Sequence, residues 1–461
     1  MNLISNTKTV IFDDDYKEIE NLRKALDQML IQNIYIEFGE PDGLEERDEE
    51  QKITNVRFVF ADILLGTKQE SDSKVAVEPI VSSIINNISK LNGLFILILW
   101  SKDTQEHKDE LIRTLKDDEE YKFITITDIN KNEYIDKEGT PASKTIKELI
   151  EEIKEEINKL DYFNLLREWE NETQRSIAKT FDLLLDVNDD HKTKDLLNGA
   201  IKSVVGTKQT ADAKSKRKAL WTSLNTVLQD TVETNKSVST ITDNIYEKLD
   251  MNVISNDNTN ILNSKILFDN NITNDDKKMY PGNVFLFESY INVCERLKEQ
   301  ICGYKEIDSL ISEIFDNEAC FEFLKEECKT LGANTKKEII ACKNEQIKKL
   351  IPILLEFTPY CDYSQKGYKK ARLIFGFIIP NKFRKFVLST TKYLYSTPTF
   401  YINRQCEEGS YFMVLNIKHI FGVNPNLLEK LDLILRVRKE LLNDIQHDIA
   451  SHVSRVGVTS L

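Results

Sequence analysis

The chain has 461 residues, a formal net charge of −14 and 41% hydrophobic residues. This length predicts about two to four domains, and the excess of negative charge disfavours nucleic acid as a partner of the surface as a whole. No apolar run approaches the roughly 18 residues that span a bilayer, and residues 1–8 lack the basic and apolar segments of a secretory signal. We therefore expect a cytoplasmic protein that does not associate with membranes.

The first 135 residues alternate between apolar runs and amphipathic stretches. Buried strands are predicted by the apolar runs at residues 8–12, 33–38, 56–61, 94–100 and 123–127. Most of the stretches between them carry apolar residues at the three- to four-residue spacing of helices. Because strands that alternate with helices form a doubly wound parallel sheet, we predict a flavodoxin-like domain with five parallel strands over residues 1–135.

Carboxylates follow two of these predicted strands directly. Asp13 and Asp14 come after the first strand, and Asp62 comes after the third. Chemistry in open α/β sheets collects at the carboxyl ends of the strands, so we expect these three side chains to share one crevice. Carboxylates this close repel each other unless a cation lies among them. The pattern therefore predicts a divalent cation, and Mg²⁺ is the candidate because it prefers oxygen ligands.

The two acidic segments resemble the receiver domain of bacterial response regulators. Residues 12–19 match its acidic pair after the first strand, and residues 61–66 match the segment that carries its phosphoacceptor aspartate. The resemblance implies that Asp62 accepts a phosphoryl group. It also implies that Mg²⁺ is bound by Asp13, Asp14, Asp62 and the backbone carbonyl of Leu64.

Two further positions of the receiver family have competing candidates in this chain. The family places Ser or Thr at the end of the fourth strand, where Ser101 would be the switch hydroxyl unless Trp100 occupies the aligned position. The family also places Lys at the end of the fifth strand. Lys131 comes a few residues after the predicted end of that strand, and Lys102 lies at the end of the neighbouring strand. Either lysine could be the partner of the phosphate.

The rest of the chain predicts a helical region over residues 143–236 and a C-terminal α+β domain over residues 260–461. An apolar stripe at helical spacing runs through residues 143–187. Such a stripe either packs on its own chain or forms a homodimer. A final amphipathic helix is predicted over residues 427–453.

The C-terminal region holds a second, weaker candidate site. Cys361 and Asp362 follow a predicted strand and could act as nucleophile and base, although a catalytic cysteine normally needs an orienting histidine. All seven cysteines lie between residues 294 and 406 without C-x-x-C spacing, which favours reduced, buried thiols over a metal site.

A divergent receiver joined to such a region is similar to receiver proteins of bacterial conflict and anti-phage systems. The predicted function is a signalling regulator that accepts a phosphoryl group on Asp62, as a phosphorelay acceptor or buffer and not as an independent enzyme. Its implied partners are a sensor histidine kinase or other phosphodonor protein and an effector protein. The alternatives are a pseudo-receiver scaffold that is not phosphorylated and an effector whose C-terminal domain is catalytic or binds nucleic acid.

Overall fold

The structure is a computed structural model. It describes residues 8–38, 48–63, 73–102, 107–117, 123–135, 142–184, 190–205, 213–234, 240–249, 255–270, 280–289, 311, 313–364, 369–388, 391, 393–402 and 409–453. The chain divides into two compact units. The first unit comprises Met1–Leu183 with Val227–Asp250, and the second comprises Leu184–Thr226 with Met251–Leu461.

The first unit contains a five-stranded parallel sheet, as predicted. Its strands are β1 (Lys8–Asp13), β2 (Gln32–Glu37), β3 (Val56–Ala61), β4 (Phe95–Ser101) and β5 (Phe123–Asn130). Their spatial order is β2-β1-β3-β4-β5, and every neighbouring pair is parallel. This is the flavodoxin-like order, which confirms the predicted fold class. All carboxyl ends of the strands therefore lie at one edge of the sheet.

Helices cover both faces of this sheet. One face packs against α1 (Glu20–Gln28) and α4 (Ile146–Asn158), and the other packs against α2 (Ser73–Asn87) and α3 (Lys108–Asp117). Successive strand residues point to opposite faces, so Trp100 of β4 belongs to the core of the first face while Leu99 belongs to the core of the second. Both faces are apolar because both are buried, which explains the uninterrupted apolar runs of the sequence.

The apolar stripe of residues 143–187 has two different environments. In α4, Leu149, Ile153 and Ile157 are buried in the core beside the parallel sheet. In the next helix, α5 (Asp161–Leu184), the large apolar side chains of Leu166, Trp169, Ile177 and Phe181 are exposed. The α4 part of the stripe therefore packs on its own chain, and the homodimer through residues 143–187 stays a prediction.

In the middle of the chain, the described residues also form α6 (Asp190–Val205), α7 (Ala213–Thr234) and α8 (Thr240–Glu247). Among the helices of the described residues, none is both long enough and apolar enough to cross a bilayer.

The second unit contains an antiparallel, seven-stranded sheet. Its strands are β6 (Phe268–Asp269), β7 (Asn283–Leu286), β8 (Ile351–Glu356), β9 (Ala371–Pro380), β10 (Leu394–Ser396), β11 (Tyr411–Val423) and β12 (Leu433–Val437), in the spatial order β10-β11-β9-β8-β7-β12-β6. The described residues of this part include the helices α9 (Asn256–Ile266), α10 (Asn317–Thr330), α11 (Lys336–Ile347), α12 (Tyr360–Ser364) and α13 (Lys439–Val453). The predicted α+β class of the C-terminal region is thereby confirmed.

Two expectations for this region are wrong. Residues 427–453 are not one helix, because β12 pairs with β7 and β6 before α13 begins at Lys439. The apolar residues of β12 satisfied a helical spacing by coincidence, and backbone pairing with β7 and β6 decided their conformation. Cys328 of α10 and Cys342 of α11 form a disulfide, whereas both were expected to be reduced thiols. Their Cα atoms lie 5.9 Å apart because the two helices bring distant sequence positions together.

Gly282 is a position where the second unit requires glycine. Its φ is +91°, and a Cβ at this position would lie 2.2 Å from the carbonyl oxygen of Val437. We expect Gly282→Ala to lower the free energy of unfolding by about 2 kcal/mol or more, because the backbone on both sides is hydrogen-bonded and resists a shift. Urea unfolding measures this loss. The control is Gly199→Ala in α6, where nothing lies within 4 Å and a gain of up to about 1 kcal/mol is expected. Equal stability of the two variants would contradict the prediction.

Candidate functional site

Three aspartates meet at the carboxyl edge of the parallel sheet. Asp13 is the last residue of β1, Asp14 follows it, and Asp62 comes directly after β3. Because β1 and β3 are parallel neighbours, their ends lie side by side, and the amide of Asp62 donates to the carbonyl oxygen of Phe12 at 3.0 Å. One carboxylate oxygen from each aspartate lies within 4.8 Å of the others. This group could hold a metal ion.

The three aspartates differ in exposure and charge. Asp13 is completely buried and Asp62 is 6% exposed, whereas Asp14 is exposed. Asp14 is therefore the aspartate of this group that solvent reaches most easily. Burial raises the pKa of Asp13 to about 6, although the charge of Lys131 and a hydrogen bond from the Asp15 amide act in the opposite direction. A buried carboxylate with a raised pKa is a common feature of functional sites.

Lys131 is the lysine that reaches the aspartates. Its ammonium bonds the carboxylate of Asp62, lies 3.3 Å from Asp13 and 2.5 Å from Glu18, and its side chain is 1% exposed. Burial alone would lower the pKa of Lys131, but the charges of Asp62 and Asp13 raise it above its usual range. The sequence pattern predicted that the fifth strand ends at residue 127, whereas β5 continues to Asn130. Lys131 is therefore the first residue after the strand, level with the other strand ends.

Ser101 supplies a hydroxyl to the same carboxylate. It is the last residue of β4, and its Oγ donates to Oδ1 of Asp62 at 2.7 Å. The preceding residue, Trp100, is buried in the core of the α1 and α4 face, where it stacks on Tyr134. Of the two residues that competed for this position, Ser101 is thus the one that contacts Asp62.

Lys102 lies outside this inner group. Its side chain is 47% exposed, and its ammonium pairs with the carboxylate of Glu18. The structure therefore separates the two candidate lysines, since Lys131 contacts Asp62 and Lys102 contacts Glu18.

Glu18 is the member of the site that sequence reasoning missed. It lies in a 3₁₀ turn (Tyr16–Ile19) just after the acidic end of β1, and its carboxylate joins both lysines. Burial would raise the pKa of Glu18, but hydrogen bonds from Lys102 and Lys131 lower it below its usual range. The sequence position of Glu18 could have indicated its role, because a turn directly after a strand end stays at the same edge of the sheet.

The donor set fits a hard divalent cation. Four carboxylates (Asp13, Asp14, Glu18 and Asp62) face two ammonium groups (Lys102 and Lys131), which leaves an excess of negative charge. The three aspartates offer oxygen ligands, which Mg²⁺ prefers, and one of them, Asp14, is exposed to solvent. Leu64, whose carbonyl was expected to be a fourth ligand, lies outside the described residues.

The second candidate site, Cys361 and Asp362, is described only in part. Asp362 pairs with Arg372 at 3.6 Å, and the side chain of Cys361 lies outside the description. His419 lies 3.2 Å from the carboxylate of Glu313. Thiol catalysis by Cys361 and Asp362 therefore stays a prediction.

Comparison of the sequence with the known protein families found no matching family, and comparison with curated proteins found no significantly similar sequence. What the chain shares with receiver domains is thus the order of its five parallel strands and the acidic group at their carboxyl ends.

Proposed function

We propose that the first unit accepts a phosphoryl group on Asp62 in the presence of Mg²⁺ and thereby acts in signalling. One observation carries this proposal: a single carboxylate, Asp62, is contacted both by the hydroxyl of Ser101 and by the ammonium of Lys131 within an acidic group that fits a metal ion. These are the groups that an aspartyl phosphate needs around it.

The proposed reaction is a phosphoryl transfer. A carboxylate oxygen of Asp62 forms a bond to phosphorus, and the bond between phosphorus and the leaving group of the donor breaks, with its electron pair going to the leaving group. A bound Mg²⁺ would neutralise the phosphoryl oxygens, and Asp13, Asp14 and Asp62 would hold it. The product is a mixed anhydride, which water can later hydrolyse.

Ser101 and Lys131 have complementary roles in this proposal. Both donate hydrogen bonds to Asp62, so both are within reach of a group bound to it. Lys131 supplies positive charge and Ser101 a neutral donor, and together they would orient the phosphoryl oxygens. A change in these two contacts would couple phosphorylation to β4 and to the segment after β5.

The proposal implies two kinds of partner. A phosphodonor protein, such as a sensor histidine kinase, would supply the phosphoryl group. An effector protein would respond to the phosphorylated state, or the chain would serve as a phosphorelay acceptor or buffer, for example in anti-phage defence.

Labelling of the purified full chain with radioactive acetyl phosphate tests the proposal. We expect incorporation that requires Mg²⁺, stops with EDTA, and is removed by hydroxylamine because hydroxylamine cleaves acyl phosphates. A label that resists hydroxylamine would be on a hydroxyl group and would contradict the proposal. If no label is incorporated with or without Mg²⁺, the alternative of a non-phosphorylated scaffold is favoured.

A further inference from the structure

Lys131 binds carboxylates that a metal ion at this site would also use. Its ammonium contacts Asp13 and Asp62, which are two of the three aspartates of the acidic group. An ammonium that neutralises these carboxylates weakens their attraction for a divalent cation. The affinity for Mg²⁺ therefore depends on how firmly Lys131 is drawn toward the aspartates.

Glu18 is a third carboxylate that binds the ammonium of Lys131. Its carboxylate lies 2.5 Å from Nζ of Lys131, while the same ammonium bonds Asp62 and lies 3.3 Å from Asp13. Glu18 is not one of the three converging aspartates. The side chain of Lys131 is 1% exposed, so water screens its attraction to Glu18 and Asp13 only weakly.

The position of Glu18 is held on several sides. The 3₁₀ turn that carries it is capped by Asp15 and anchored by the fully buried Ile19. Its backbone carbonyl accepts a hydrogen bond from the indole of Trp100 at 3.3 Å, and its carboxylate also binds Lys102. A carboxylate held in this way can keep an ammonium in one place.

We propose that Glu18 is a positioning residue of the acidic site, which holds the ammonium of Lys131 and so limits its competition with a divalent cation for Asp13 and Asp62. This inference rests on the proposed function, because it assumes that the aspartates bind Mg²⁺. Glu18 itself is not a ligand in this arrangement and acts through Lys131.

Titration of the full chain with MgCl₂, without a phosphodonor, tests the inference by calorimetry. We expect Glu18→Gln to weaken Mg²⁺ binding about tenfold, because replacement of a residue that orients a metal site commonly costs between 10- and 100-fold in affinity. The matched control is Glu20→Gln. Glu20 is two residues away, 56% exposed and paired with Lys24, so the same change of charge should alter the affinity less than about twofold.

A double-mutant cycle separates positioning from simple charge. In a Lys131→Met background, Glu18→Gln should change Mg²⁺ affinity less than about twofold, because the residue through which Glu18 acts is gone. A tenfold loss in that background would overturn the inference. Circular dichroism checks that Lys131→Met folds. Independently of that variant, the loss in Glu18→Gln should persist in 0.5 M KCl, where the effect of an exposed charge is screened, and disappearance of the loss in this salt would also overturn the inference.

The titration distinguishes failure of the inference from failure of the proposed function. If the unmodified chain binds Mg²⁺ and Glu18→Gln binds it equally well, Glu18 is not a positioning residue and the proposed function stands. If the unmodified chain does not bind Mg²⁺, both are overturned.

Discussion

Replacement of Asp62 with asparagine is expected to abolish phosphoryl labelling, with a loss of more than about 100-fold. The amide of asparagine has nearly the shape of the carboxylate, but it cannot form an acyl phosphate. Ser101 can still donate to the amide oxygen, so the hydrogen bond to the end of β4 can be retained. Phosphoryl incorporation from acetyl phosphate, measured with Mg²⁺ at neutral pH, gives the ratio between Asp62→Asn and the unmodified chain.

Asp128→Asn is the matched control for this experiment. Asp128 lies in β5 of the same sheet, pairs with Lys108 at 2.8 Å and is not one of the three converging aspartates. The same chemical change there should leave labelling within about twofold of the unmodified chain. Labelling that survives Asp62→Asn in a correctly folded protein would show that another residue is the acceptor.

Replacement of Glu356 with glutamine is expected to stabilise the second unit increasingly as the pH rises. Glu356 is the last residue of β8 and is completely buried, and burial raises its pKa from 4.5 to about 8 although hydrogen bonds from Thr358 lower it. Between these two values the unfolded chain has released the proton and the folded chain has kept it. Unfolding therefore releases a proton, and stability falls by about 1.4 kcal/mol per pH unit in this window.

The glutamine variant lacks this proton release. Its advantage over the unmodified chain should grow by about 4 kcal/mol between pH 5 and pH 8 and then level off. Urea unfolding at pH 5, 6, 7 and 8 gives this difference as a function of pH. Glu345→Gln is the control for the same chemical change, because the side chain of Glu345 is 66% exposed, and this variant should stay within about 0.5 kcal/mol of the unmodified chain. A constant difference between Glu356→Gln and the unmodified chain at all four pH values would refute the prediction.

The N-terminal sheet could be predicted because its signals are local. Apolar runs such as that of β3, predicted and found at Val56–Ala61, reflect burial on both faces of a parallel sheet. Asp13, Asp14 and Asp62 follow two such runs directly. Once the sheet is parallel, geometry requires that they lie at one edge.

Local sequence signals did not predict where every strand ends or which lysine contacts the aspartates. The polar residues Asp128 and Asn130 suggested that β5 had ended, yet pairing with β4 extends it to Asn130 and brings Lys131 to the aspartates. In the second unit, pairing with β7 and β6 likewise made Leu433–Val437 a strand where spacing indicated a helix. Backbone pairing with a distant strand outweighs local preference in both cases.

The sequence by itself therefore determined the doubly wound sheet and the three aspartates at its carboxyl edge, because burial and strand direction leave a pattern in neighbouring residues. Only the tertiary structure decided that Lys131 contacts Asp62 while Lys102 contacts Glu18, and that Ser101 rather than Trp100 donates to Asp62. These choices depend on the register between strands and on a turn that is remote from Lys131 in the chain. The physical reason is that an ion pair depends on distances in space, and residues 13, 18, 62 and 131 are close only after the sheet has formed.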